Sequence, residues 1–269
     1  MPFFSSFDGV KIHYEIRGRG RPLIFLHGIP GRALNWARVI EMLKGNFLAV
    51  ALDFRGYGSS EKPERFTMLD HVRDVELLIR ELGIEPNKAV LVGHSYGTMI
   101  ALMLCSRSPV WGTLLISPPL ELRKDFTDFM ILHLPSWIWK PLLFSNNFLT
   151  RRLYRKLFFS PSTPEEVYEE FVEENAGYIE SLPPQSFKNP STFEYRAYDY
   201  APKVKTVATV VVGEDDSVTP PAEAERVAEL LNARLIKLPN AGHMLPYEKP
   251  EALARIIRDF CGRLPGVGE

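Results

Sequence analysis

The 269-residue chain predicts an α/β protein: a mostly parallel central sheet with helices on both faces, broken by one inserted helical segment. Three observations carry this. Short, almost continuous apolar runs alternate with stretches of helical period, and strands covered on both faces are the ones that read as unbroken apolar runs. The alternation stops near residue 118, where prolines and aromatics become dense, and resumes near residue 200. Glycine-rich loops follow the apolar runs, at the strand ends where open α/β sheets bind ligands.

In chain order, residues 3–7 and 10–16 read as two short strands joined at Asp8-Gly9, a strong hairpin signal. RPLIFLHG (21–28) is a buried strand entering a loop, 33–43 a short helix, and NFLAVALD (46–53) another buried strand followed by the loop DFRGYGSS (53–60). Over 67–82, Leu69, Val72, Val75, Leu78, Ile79 and Leu82 fall at helical spacing. Thr67 and Asp70 resemble a capping box, and Gly83 ends the helix. KAVLVG (88–93) is a strand, 95–107 a helix and 111–117 a strand. After the insertion, 206–213 is a strand, 221–231 a helix with proline at its start, 233–239 a strand and 250–264 a final helix. The chain thus divides into a core, 1–117 with 201–269, and an inserted helical cap, 118–200. The insertion begins at the carboxyl end of a strand, so it is expected to lie over the site as a lid.

Composition narrows the function classes. Lys+Arg number 32 and Asp+Glu 33, a formal net charge of −1, so no global field recruits nucleic acid or an anionic membrane, and only a local patch would do so. The most apolar stretch, 129–144, is interrupted by His133, Pro135, Lys140 and Pro141 and is too short to span a bilayer. MPFFSSFDGV has no basic n-region and no long apolar h-region, which gives no sign of a signal peptide. Cys105 and Cys261 lie in no CxxC spacing and read as buried free thiols of a reducing, cytoplasmic compartment. No metal or cofactor is expected. DFRGYGSS lacks the GK[ST] of a nucleotide-binding loop. The oligomeric state is not legible.

One short stretch carries chemistry. Gly93-His94-Ser95-Tyr96-Gly97 sits between a strand and a helix, the context of a nucleophile elbow. A serine hydroxyl needs a general base. Of the six histidines, His13 lies in an early strand, His71 inside an amphipathic helix and His133 in the insertion. His94 precedes the serine and should point away from it, and His27 lies in the loop after the first central strand. His243 remains, on a loop after the last strand. GEDDSVTP (213–220), at the end of the preceding strand, offers Glu214, Asp215 and Asp216 as the acid that orients the base.

Together HGIPG (27–31), DFRGYGSS, VGHSYG (92–97), GEDDSVTP and AGHMLPYEKPE (241–251) resemble the α/β-hydrolase family over nearly the whole chain. The resemblance implies the α/β-hydrolase fold, with Ser95 as nucleophile, His243 as base and Asp216 as acid, Asp215 being the runner-up. It places an oxyanion hole at the backbone N–H groups of Ile29 and Tyr96. Thr98 departs from the family, where a second glycine is common. The implied reaction is acyl transfer through an acyl-enzyme.

The insertion is rich in aromatics, and Trp137, Trp139, Phe144 and Phe158 are taken as candidate walls of an apolar substrate pocket. The favoured substrate is a small hydrophobic carboxylic ester. A proline iminopeptidase-like activity is the alternative, because HGIPG is similar to the HGGPG loop of those enzymes and PEEVYEEFVEEN (164–175) would offer glutamates to a substrate ammonium. Carbon–carbon bond hydrolysis shares the same triad. A non-enzymatic ligand receptor on the same fold is disfavoured because no triad member is missing. Epoxide hydrolases and haloalkane dehalogenases are disfavoured because their nucleophile is aspartate.

Overall fold

The computed structural model describes residues 2–264. Its strands are β1 (Phe3–Ser5), β2 (Lys11–Gly18), β3 (Arg21–Leu26), β4 (Phe47–Leu52), β5 (Val90–His94), β6 (Gly112–Ile116), β7 (Val207–Gly213) and β8 (Arg234–Leu238). They form one eight-stranded sheet in the order β1-β2-β4-β3-β5-β6-β7-β8. The pairs β1–β2 and β2–β4 are antiparallel, and every later pairing is parallel.

The helices of the sheet layers are α1 (Ala37–Leu43), α2 (Met68–Glu81) and α3 (Tyr96–Cys105). An insertion follows β6: α4 (Phe126–His133), α5 (Ser136–Phe144), α6 (Phe148–Phe158), α7 (Glu165–Ser181), α8 (Gln185–Lys188) and α9 (Ala197–Tyr200). The core then closes with α10 (Pro221–Leu231), α11 (Leu245–Glu248) and α12 (Pro250–Arg263).

Alternation along the strands builds two cores. Ile24, Leu26, Val50, Leu52, Leu91 and Val210 join the side chains of α2, α3 and α10 on one face. Leu23, Phe25, Ala49, Ala51, Val92 and Val211 join α1 and α12 on the other. That double burial is why the strands read as unbroken apolar runs. Helix α2 starts at Thr67, whose hydroxyl accepts from the Asp70 amide while the Asp70 carboxylate accepts from the Thr67 amide. It ends at Gly83, with φ at +64°. Leu69, counted above among its apolar positions, instead faces solvent. Among the described residues no helix is long and apolar enough to cross a membrane.

Two buried carboxylates fix the loops beside the site. Asp53 accepts from the Ala33 and Ser59 amides, each at 2.7 Å, and pairs with His13 Nδ1 at 2.8 Å, which joins the 27–33 loop to the 53–60 loop. Burial opposes its charge, but His13 and these amides outweigh burial and hold its carboxyl below the usual range. Arg55, also buried, donates Nε and Nη2 to Asp74 at 2.7 Å and Nη1 to Asp8 at 2.7 Å.

Candidate active site

Ser95 links β5 to α3 with φ at +50° and ψ at −118°, in the region that non-glycine residues avoid. The bend explains its glycines. A Cβ on Gly97 would lie 2.2 Å from the Leu26 carbonyl oxygen, and one on Gly93 would lie 2.7 Å from the Gly97 carbonyl carbon. The turn is held by the Ser95 N–H donating to the Ile116 carbonyl at 2.8 Å. Thr98 strengthens it: its hydroxyl donates to the Ser95 carbonyl at 2.6 Å. The Tyr96 amide belongs to the first turn of α3, where N–H groups have no intrahelical acceptor. Its side chain points the other way, and its hydroxyl meets His71 Nδ1 at 2.6 Å in the core.

His243 Nδ1 lies 2.9 and 3.1 Å from the two carboxylate oxygens of Asp216. Asp216 Oδ1 also accepts from the Val218 and Thr219 amides at 3.0 and 2.8 Å. Burial works to raise the Asp216 carboxyl, but the neighbouring His243 and these donors more than offset it and hold it below the usual range. A carboxylate at Nδ1 fixes the proton there and leaves the Nε2 lone pair on the opposite edge of the ring. Asp215 is exposed, and its carboxylate accepts instead from the Ser160 hydroxyl at 2.6 Å. Glu214 is exposed too. Of the three acids, only Asp216 meets the histidine.

The backbone of residue 243 is pinned from both sides. Its N–H donates to the Phe158 carbonyl at 2.9 Å, and its carbonyl accepts from His94 Nε2 at 2.8 Å. Burial, helped by nearby His243, pushes His94 down to about 3, so it is neutral and its single proton is committed to that bond. His27 is committed as well, donating from Nδ1 to the Gly28 carbonyl and accepting at Nε2 from the Phe54 amide.

Ser95, His243 and Ile29 line one cavity of about 60 Å³, beneath Phe158, Asn175 and Ile179 of the insertion. A second cavity, of about 30 Å³ and lined by Phe144, Val172 and Ala176, shares Tyr154, Phe171 and Ile179 with the first. Two expected pocket walls need correction. Trp137 is 76% exposed and Trp139 is fully buried against Phe144 and Phe187, and neither lines a cavity with Ser95. The two residues are about 200° apart around a helix, so one turns outward when the other turns in. Phe158 lines the Ser95 cavity and Phe144 only the second one. The glutamates of α7 lie outside the Ser95 cavity. Glu169 pairs with Arg151, Glu165 with Arg155, and Glu174 accepts from the Tyr247 hydroxyl. Among the described residues no group of three His, Cys, Asp or Glu could hold a metal ion.

A sequence model described as "Alpha/beta hydrolase family" matches residues 23–256. The chain belongs to this family. It is 28% identical over 272 residues to "Uncharacterized hydrolase YugF" of Bacillus subtilis (strain 168), covering 94% of this chain and 95% of that protein. It is 26% identical to "Epoxide hydrolase 3" of Xenopus tropicalis, over 94% of this chain and 75% of the relative. In structure it is similar to a thermophilic esterase from Thermogutta terrifontis, with a TM-score of 0.84 and 22% identity, over 97% of this chain and 98% of that one.

Sequence reasoning missed one polar hub of this hydrolase. The Tyr247 hydroxyl accepts from Asn35 Nδ2 at 2.8 Å and Asn175 Nδ2 at 2.9 Å and donates to Glu174 at 2.8 Å. One donor and two acceptor sites are all used. The hub joins the core (Asn35), the histidine loop (Tyr247) and the insertion (Asn175 and Glu174) at the cavity wall. The only trace in the sequence was the tyrosine of AGHMLPYEKPE, beside the candidate base.

Proposed function

We propose that this hydrolase cleaves small carboxylic esters with hydrophobic acyl groups, using Ser95 as nucleophile, His243 as base and Asp216 as the acid that orients it. The observation that carries the reading is that a strained Ser95 and a His243 paired with Asp216 line one small, mostly apolar cavity. Ser95 Oγ attacks the ester carbonyl carbon while its proton passes to His243 Nε2. The oxyanion is met by the Ile29 and Tyr96 amides, an arrangement worth roughly 3–4 kcal/mol per donor in related sites. The intermediate collapses, the C–O bond breaks, and the leaving alkoxide takes the proton from His243. Water, deprotonated by His243, then hydrolyses the acyl-enzyme and frees Ser95. The insertion serves as the lid of this site, and its cavity-facing side chains keep bulk water out.

Three observations favour esters. The lid glutamates sit outside the cavity, which removes the group that a peptidase would use to hold a substrate ammonium. Several relatives are epoxide hydrolases, but the elbow residue here is serine, which suits acyl transfer. A cavity of about 60 Å³ suits a short acyl group. The test is turnover of p-nitrophenyl esters of increasing acyl length, beside a proline aminoacyl amide, in wild type and Ser95→Ala. Ester turnover that vanishes in the variant supports the proposal. Cleavage of the prolyl amide alone, or turnover unchanged in Ser95→Ala, refutes it.

A further inference from the structure

The six most exposed large apolar side chains among the described residues all lie within 126–149 of the insertion. They are Phe126, Phe129, Trp137, Leu142, Phe148 and Leu149, between 55% and 76% exposed. Helix α6 continues this surface. Its outward side carries Phe148, Leu149, Leu153 and Leu157 together with Arg152 and Lys156, all exposed, while Thr150 is buried and Tyr154 and Phe158 face the cavities. Arg152 and Lys156 have no ion-pair or hydrogen-bond partner among the described residues. The charge is local. Residues 123–158 hold seven Lys and Arg (123, 124, 140, 151, 152, 155 and 156) against two Asp (125 and 128), in a chain of net charge −1.

We propose that this outer face, α4 to α6 and above all α6, docks onto an anionic lipid surface. Bulky apolar side chains interleaved with unpaired cations along one exposed helix side match what an interfacial helix presents to acyl chains and anionic headgroups. Two further observations select lipid over a second copy of the chain. Arg123, Arg151 and Arg155 are paired with Glu121, Glu169 and Glu165, so a two-fold dimer through this face would set a patch of net charge +2, centred on the unpaired Arg152 and Lys156, against its twin, which repels. The second cavity lies beneath the α5–α6 turn, lined by Ser145, Asn146 and Thr150 next to Phe148 and Leu149, and it shares walls with the Ser95 cavity. A small hydrophobic ester dissolved in the lipid has an apolar route there toward Ser95. That last step rests on the ester-hydrolase reading, whereas docking itself does not.

The test is co-sedimentation of the whole chain with vesicles of phosphatidylcholine alone and of phosphatidylcholine mixed with phosphatidylglycerol, at low and high salt. Binding is expected to favour the anionic vesicles by at least roughly tenfold at low salt and to weaken as salt rises. Arg152→Gln combined with Lys156→Gln should lower the partition coefficient roughly 30-fold, from about a kcal/mol per basic residue. Phe148→Ser combined with Leu149→Ser should abolish binding while circular dichroism and the thermal midpoint report a folded chain. Trp137 is the one exposed tryptophan of four, so its fluorescence should shift to the blue on docking. Equal binding to both vesicle types, binding indifferent to either double substitution, or a dimer that Phe148→Ser with Leu149→Ser dissolves in the absence of vesicle binding would each overturn the proposal. Ser95→Ala should bind vesicles like wild type, so failure of docking and failure of the hydrolytic reading are separate results.

Discussion

Replacing Asp216 by asparagine changes few atoms and should remove nearly all activity. Asp216 Oδ1 accepts from the Val218 and Thr219 amides, and Oδ2 lies 2.9 Å from His243 Nδ1. Asparagine has one acceptor oxygen and one donor NH₂. Only the oxygen can satisfy the two backbone donors, so the NH₂ falls opposite Nδ1. His243 must then accept at Nδ1 and carry its proton on Nε2. In that tautomer it cannot take the Ser95 proton. Turning the amide over gives no rescue, because it strands the buried Thr219 N–H at about 1–3 kcal/mol and the part-buried Val218 N–H with it. A loss of about 10⁴ in kcat is expected, as for the wrong tautomer in other Ser-His-Asp sites. By rate arithmetic that is about 5.5 kcal/mol of transition-state stabilisation. The assay is kcat on a p-nitrophenyl ester, paired with the thermal midpoint, which should barely move because the backbone acceptors survive. Asp216→Ala should lose similar activity and also about 2 kcal/mol of stability, from two unmet amides. If Asp216→Asn keeps more than about a tenth of the wild-type kcat, the histidine is not oriented by Asp216 and the assignment fails.

Three further outcomes follow from the same geometry. Gly97→Ala would set a methyl 2.2 Å from the Leu26 carbonyl oxygen, so β3 and α3 must separate; a loss above about 4 kcal/mol is expected in urea unfolding, and a stable variant would show that the elbow tolerates more than the packing implies. Tyr247→Phe leaves Asn35, Asn175 and Glu174 without their shared partner and should cost about 1–3 kcal/mol by the same measurement, whereas an unchanged midpoint would mean that solvent repairs the hub. Burial pushes both His71 and His94 from 6.5 down to about 3, so between these values the unfolded chain takes up protons that the folded chain refuses. Stability should therefore fall as pH drops below 6.5, by up to about 1.4 kcal/mol per pH unit for each histidine. His71→Asn should remove one proton from that slope in unfolding curves between neutral and mildly acidic pH, and a slope that does not change would sink this account.

The fold was legible because its signals are local. Leu23 and Ile24, or Val210 and Val211, are neighbours in sequence and enter opposite cores, so an unbroken apolar run is the direct imprint of a doubly covered strand. The Thr67–Asp70 box and the Gly93-Ser95-Gly97 bend are local as well, and each is read within a few residues. What stayed hidden depends on partners distant in sequence. Asp215 and Asp216 are adjacent and chemically alike, so the residues alone left the acid open and only the family resemblance favoured Asp216; one is engaged by Ser160 of the insertion and the other by His243. Trp137 and Trp139 looked equivalent as pocket walls, yet helix geometry sends one into solvent and the other into the core. The Tyr247 hub closes across 72 residues to Asn175 and 212 to Asn35, separations at which sequence pattern carries no signal.

The insertion does more than roof the cavity, because it also holds the proposed base in place. The Phe158 carbonyl takes the N–H groups of His243 and Met244, so the end of α6 and the histidine loop move together. Glu248 fastens the same joint. Its carboxylate accepts from Gly242 N–H at 3.0 Å on the histidine loop and from Ser160 N–H at 2.9 Å on the insertion, and from the Thr163 hydroxyl besides. Glu248 does not line the cavity, so it is a positioning residue. Glu248→Ala should leave two part-buried amides unmet and let residues 158–160 separate from the loop. The acyl group still meets the same walls, so KM should change little, whereas kcat should fall about 10–100-fold as His243 loses its fixed approach to Ser95. Glu248→Gln keeps one acceptor oxygen and should fall between the two. A variant that loses only thermal stability, with kcat intact, would mean that the Phe158 carbonyl, His94 and Asp216 suffice to hold the histidine without Glu248.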